Sequence, residues 1–150
     1  MPTDRIERAI DIEAPVDVVW AVLTEPNHIA SWFTDSAELE LRPGGEGRFV
    51  FEQKATSAAA TVNLRVLEVQ PPHTFSFRWA HPDGAEPNET NSLLVEFRLE
   101  AIGDTTRLHL VESGFQRQER NYDDHASGWD VHLDRLRQYA AEQEPSAVKR

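Results

Sequence analysis

Glu112 is the residue whose position most invites chemistry. It continues the alternating run Thr106, Leu108 and Leu110 in the same phase. A strand that passes through it turns its carboxylate towards the apolar side, where it could anchor a polar ligand group or act as an acid or base. If the strand instead ends near Val111, the carboxylate reaches water, and both readings stand on the sequence. His132 lies three residues after Trp129 and four before Leu136. At helical spacing it flanks an apolar stripe, placed either to exchange a hydrogen bond inside a pocket or to sit half exposed without a role. Around these two groups stand the rings Phe49, Phe51, Phe75, Phe77, Trp79, Phe97 and Trp129. Any one of them is ordinary core filling, while the set together could line a cavity. Trp20, Trp32, Phe33, Leu110 and Leu133 complete the expected ligand-binding lining.

Other chemistries are poorly served. The chain has no cysteine, which removes disulfides, thiolate catalysis and the common structural zinc sites. His125 and His132 are seven apart, roughly 10 Å along a helix, too far to share one ion as a simple helical pair. No metal or cofactor is expected. A serine-hydrolase elbow, Gly-x-Ser-x-Gly, does not occur, and Pro43-Gly44-Gly45-Glu46-Gly47 lacks the lysine and spacing of a phosphate loop. Asp130 and Asp134 read as solvated helix surface.

The net charge of −11, from 15 basic and 26 acidic residues, repels a polyanion, and no basic run compensates for it. No nucleic-acid partner is therefore expected. Neither an apolar leader nor a stretch of membrane-spanning length is present, so no membrane insertion and a cytoplasmic location are expected. The sequon Asn88-Glu89-Thr90 is then a coincidence.

The elements that must position these residues follow from hydrophobic spacing. Ile6, Ile10 and Ile12 share one face of a first strand, which Ala14-Pro15 ends. Val16, Val19, Trp20 and Leu23 form a short amphipathic helix, and a second carries His28, Ile29, Trp32 and Phe33. Ala37, Leu39 and Leu41 alternate as a strand, the glycine-rich segment turns, and Arg48 to Gln53 returns. Val62, Leu64 and Val66 share one parity and Leu67 and Val69 the other, which predicts a β-bulge near Val66-Leu67. Phe75, Phe77 and Trp79 form the next strand; a long loop spans His81 to Asn91; Leu93, Val95, Phe97 and Leu99 precede the final strand. From Tyr122 to about Glu142 runs one helix of roughly 30 Å, with Asn121 as its cap and Asp123 and Asp124 at its positive end. Its stripe is Tyr122, Ala126, Trp129, Leu133, Leu136 and Ala140. The expected architecture is α+β, in the order β-α-α-β6-α. A curved antiparallel sheet is covered on one face by the long helix, as one domain over 1–150 with a core of about 6–142 and a frayed tail at 143–150.

The order Ala14-Pro15, Val19-Trp20, Ile29-Ala30-Ser31-Trp32-Phe33, Pro43-Gly44-Gly45, Val66-Leu67-Glu68-Val69 with Pro71-Pro72, Phe75 to Trp79, Thr106-Arg107-Leu108 with Ser113-Gly114-Phe115, and Gly128-Trp129 carries a family resemblance. The chain resembles the proteins related to the C-terminal domain of the heat-shock-protein-90 ATPase activator, in the START-like (SRPBCC) superfamily, from Ile6 to about Glu142. The resemblance implies the helix-grip fold and a cavity between sheet and long helix that often holds a hydrophobic ligand. Two departures stand out. Ala58, Ala59 and Ala60 replace the glycines usual in the hairpin around residues 54–64, and Glu112 occupies a strand-end position often polar in relatives.

These readings converge on a small-molecule binding protein, a carrier or sensor of an apolar or amphipathic ligand. The ligand would pass between the His81–Asn91 loop and the Trp32-Phe33 segment. An enzyme of cyclase, hydrolase or lyase type using Glu112, with His132 as a further acid–base group, is the alternative. The family name adds a third, a chaperone-associated interaction module in a stress-response setting. A homodimer through an exposed sheet edge is compatible with the pattern but not required by it.

Overall fold

The computed structural model describes residues 5–53, 58–80, 86–88, 92–114 and 122–143, with the side chains of 52, 53, 58–60, 80 and 122–125 outside the description. Ten elements follow in chain order: β1 Arg5–Ile12, α1 Val16–Thr24, α2 Pro26–Trp32, β2 Ser36–Leu39, β3 Glu46–Gln53, β4 Ala58–Gln70, β5 Thr74–Ala80, β6 Ser92–Ile102, β7 Thr105–Ser113 and α3 Tyr122–Ala141. The strands form one antiparallel sheet in the order β1-β7-β6-β5-β4-β3-β2. This is the β-α-α-β6-α order expected from the sequence.

Local chemistry sets the boundaries. Pro15 caps α1 in an extended conformation, and its carbonyl accepts from the N–H groups of Val18 and Val19 at 3.0 and 3.1 Å. Glu25 serves two helices at once. Its N–H closes α1 on the Ala21 carbonyl, and its own carbonyl accepts from His28 and Ile29 to open α2, where Pro26 needs no donor. In β4 the pairing register with β5 shifts between Val66 and Glu68. The bulge therefore falls where the parity of the apolar residues changes, and Leu67 is turned out to 42% exposure.

One strand boundary differs from the sequence pattern, and another is decided by the structure. Leu41, in phase with Ala37 and Leu39, lies beyond β2 and is exposed. The reason is the turn, which begins early: the Glu40 N–H bonds Glu46, Arg42 bonds Glu40, and Gly45 bonds Arg42. A Cβ at Gly45 would stand 2.2 Å from the Glu40 carbonyl oxygen, so only glycine lets the chain cross itself there. At the other boundary β7 runs on through Val111 to Ser113, and Glu112 pairs with Ile6 on one side and Val95 on the other. Its parity is kept and it points inward.

The inner face of the sheet is apolar in cross-strand rows, one of which reads Ile6, Glu112, Val95, Phe77, Val66. α3 is not alone in covering it. α1 packs on β6 and β7, α2 packs on β2, and Val19, Val22, Leu23, Ile29 and Trp32 join Leu133, Leu136 and Ala140 in one buried cluster. The short helices close the end of the sheet that one long helix would leave open. Among the described residues no helix is long and apolar enough to cross a membrane. The expected Asn121 cap, the side chains of Tyr122, Asp123, Asp124 and His125, and most of the 81–91 loop lie outside the described residues, as do Phe115, residues 54–57 and the tail from 144.

Candidate functional site

Glu112 is 0% exposed, between Ile6 and Val95 in its cross-strand row. A buried carboxylate survives only where donors replace water. Here two tryptophans from different elements supply them. Trp79 Nε1, from β5, donates to Glu112 Oε2 at 2.7 Å, and Trp129 Nε1, from α3, donates to Oε1 at 2.7 Å. One carboxylate thus ties the middle of the sheet to the helix that covers it. Bonds to a charged acceptor contribute about 1.5–3 kcal/mol each, roughly twice a neutral pair.

Beside this clamp lies an aromatic box. The Phe33 ring stacks on Trp32 (centroids 4.9 Å apart, planes at 12°) and on Trp129 (5.4 Å, 29°). The rings of Phe49, Phe51 and His132 meet it near perpendicular at 5.5, 5.4 and 4.8 Å, and Trp79 lies at 5.8 Å. The walls of the box are held from outside it. Trp32 Nε1 donates to the Val22 carbonyl at 3.0 Å, and His28 Nδ1 shares a 2.7 Å hydrogen bond with the Tyr139 hydroxyl, pinning α2 to α3.

His132 stands on the α3 face towards Phe33, its imidazole largely withdrawn from water. Burial, reinforced by the charge of Arg135, pushes its pKa down from 6.5 to about 4. The ring is neutral at pH 7. Its Nδ1 is buried and has no hydrogen-bond partner among the described residues, and the same holds for Thr34 Oγ1, next in sequence to Phe33. Of the two readings of His132, flanking the stripe half exposed or bonding inside a pocket, no hydrogen bond of Nδ1 supports the second among the described residues.

Of the residues expected to line a ligand site, Trp32, Phe33, Phe49, Phe51, Trp79, Glu112, Trp129 and His132 do converge. Phe77, Phe97, Leu110 and Leu133 are buried in the adjoining core. Trp20 does not converge on the clamp: it is half-buried on α1 and meets Phe75 edge-on at 6.3 Å. Beside Phe33 lies a void of about 10 Å³, bounded by Leu23, Ile29, Trp32, Phe49, Phe75, Phe77 and Phe97. That is room for about one water. Leu23 and Ile29 were not singled out as lining, since at helical spacing they look like any core aliphatic. A larger hollow of about 310 Å³ lies at the β2–β3–β4 end, lined by residues including Glu38, Glu40, Glu46, Arg48, Asn63 and Glu86. It shares no residue with the box. The described residues hold no group of three His, Asp or Glu placed to bind a metal ion.

A curved antiparallel sheet gripping a long C-terminal helix, with two short helices after the first strand, defines the START-like helix-grip class. Within it, the chain belongs to the family described as activator of Hsp90 ATPase homolog 1-like protein, whose model matches residues 13–141. Solved structures share the fold. CalU16 from Micromonospora echinospora is 26% identical with a TM-score of 0.71, covering 95% of this chain and 81% of its own. DynU16, a protein in the dynemicin biosynthetic locus, is 25% identical with a TM-score of 0.77, covering 97% of this chain and half of its own. MLL2253 from Mesorhizobium loti is 22% identical with a TM-score of 0.76, covering 94% and 99%. No curated protein matches the chain in sequence.

Proposed function

We propose that this protein binds an apolar or amphipathic small molecule between the sheet and α3, as a carrier or sensor. The observation that carries the reading is the composition of the aromatic end: a box of rings around Phe33 beside one fixed polar group, Glu112, which two indole N–H groups hold. Small-molecule sites are mostly apolar and aromatic with a few placed polar groups, whereas a purely structural core gains little from burying a carboxylate. Likeness to a protein of a biosynthetic locus is in keeping with such a role. The box is filled by Phe33, so binding requires that side chain to move.

The enzyme reading, with Glu112 as acid or base, is weaker on this geometry. Both carboxylate oxygens accept from indoles fixed by packing, which suits an acceptor better than a proton carrier. The test is native mass spectrometry of the purified protein, followed by denaturing extraction. A reproducible added mass that extracts as a defined organic molecule supports the proposal. Bare chain mass, together with no thermal shift across a panel of apolar and amphipathic compounds, would sink it.

A further inference from the structure

Resting on that reading, we propose that Phe33 occupies the ligand's own place, and that the ligand is a flat aromatic molecule bearing a hydroxyl group that pairs with His132. Three features set Phe33 apart from the sheet rings Phe49, Phe75 and Phe77. It is the C-cap residue of α2 rather than part of the sheet or of α3, so its ring is carried at the start of the connection to β2. It is 8% exposed where those three are 1%. And its backbone is anchored independently of its ring, since the Phe33 and Thr34 N–H groups both bond the Ile29 carbonyl, at 2.9 and 3.2 Å. A χ1 rotation can take the ring out while the helix end stays closed.

What the ring would leave behind is a slot with chemical character. Trp32 and Trp129 form its two faces, with planes at 12° and 29° to the present occupant, and Phe49, Phe51 and His132 present edges. Parallel faces with perpendicular edges select a planar ring over a bulky aliphatic one. One edge is not apolar. His132 Nδ1 is buried without a partner among the described residues, and a buried polar atom left unpaired is costly enough that such atoms mark missing partners. A hydroxyl both donates and accepts, so it satisfies that nitrogen in either tautomer of the neutral ring. Phe33 offers the slot a ring and no hydroxyl. It fills the space and leaves the nitrogen unpaired.

The experiment uses phenol and toluene, matched in shape and different in the one group at issue. In Phe33→Ala the vacated slot is the size of a phenyl ring, and calorimetry compares the two probes. A plain apolar cavity prefers toluene, because phenol must give up water and finds nothing in return. The expectation is that Phe33→Ala binds phenol at least as tightly as toluene, and that adding His132→Phe reverses the order by tenfold or more. A tenfold preference for toluene in Phe33→Ala, or a phenol preference that survives His132→Phe, overturns the proposal.

The wild-type chain supplies a second measurement that needs no variant to fold. Titrated with 2-naphthol, it should show saturable binding that Phe33→Ala tightens at least tenfold, because no ring has to be displaced. A wild-type chain that does not bind 2-naphthol while Phe33→Ala does would make Phe33 a fixed core residue, against the proposal. An aliphatic molecule extracted from the native protein would also overturn this inference, yet leave small-molecule binding standing.

Discussion

The two ends of the core are built on different terms. Under α1 the sheet contributes Ile12, Thr106, Leu108 and Leu99, which pack with Val19 and Val22. The buried hydroxyls there, Thr106 and Thr24, donate to the Ala14 and Trp20 carbonyls, each at 2.8 Å. Under the first half of α3 the sheet contributes Phe49, Trp79 and Glu112, met by Phe33, Trp129 and His132. There a carboxylate is buried, a void lies alongside and two polar atoms have no partner among the described residues. The aliphatic end meets every packing and hydrogen-bonding requirement of a folded interior. The aromatic end meets them only in part, and departures of this kind concentrate where a structure is kept for function rather than stability alone.

Substitutions at the two ends should therefore behave differently. The largest loss is expected at the aliphatic end. Leu108 is 0% exposed, and Leu108→Ala should lower unfolding free energy by about 3–4 kcal/mol, read from urea midpoints, without altering ligand response. Cavity formation in close-packed aliphatics is the cause, and a loss under 1 kcal/mol would mean that this end is looser than described.

At the aromatic end, Glu112→Leu removes the acceptor of two indole N–H groups. It also removes the cost of a buried charge, so the net loss should be smaller, about 1–3 kcal/mol. The more telling readout is mobility. The Trp79 and Trp129 indole N–H protons should exchange with solvent far faster in the variant, and unchanged protection would show that the clamp does not order them.

The smallest effect is a pH dependence. The unfolded chain protonates His132 near pH 6.5 and the folded chain near 4, so the unfolded state holds more protons between these values. This contribution to stability is full above about 6.5 and is lost as the pH falls towards 4. Discounted for its partial exposure, the change is on the order of 1–2 kcal/mol. His132→Phe should flatten this limb relative to wild type, with the carboxylates common to both cancelling in the difference. Parallel urea-midpoint profiles from pH 4 to 7 would contradict it.

Much of this arrangement was legible in the sequence, because periodicity reports which face a residue takes. The parity change at Val66-Leu67 locates the bulge, and the alternation through Leu108 and Leu110 turns Glu112 inward once β7 is known to run on to Ser113. The stripe through Trp129, Leu133 and Leu136 identifies the covering face of α3. Periodicity says nothing of partners across the fold. That Trp79 and Trp129, fifty residues apart in the chain, would both turn their N–H groups onto Glu112 is a tertiary fact. So is the seating of Phe33 among six rings, which no spacing distinguishes from an ordinary helix-end aromatic. So is the filling of the space beside Phe33, where large rings on short elements occupy volume that strand and helix patterns alone leave vacant.

The central claim is that the aromatic end admits a ligand while the aliphatic end does not move. Indole N–H resonances test it most directly, since three of the four tryptophans line the box and Trp20 lies apart from it against Phe75. On titrating the ¹⁵N-labelled wild-type protein with 2-naphthol, the account predicts saturable shifts of Trp32, Trp79 and Trp129 and a stationary Trp20. Shifts confined to Trp20, or none at any indole, would contradict it.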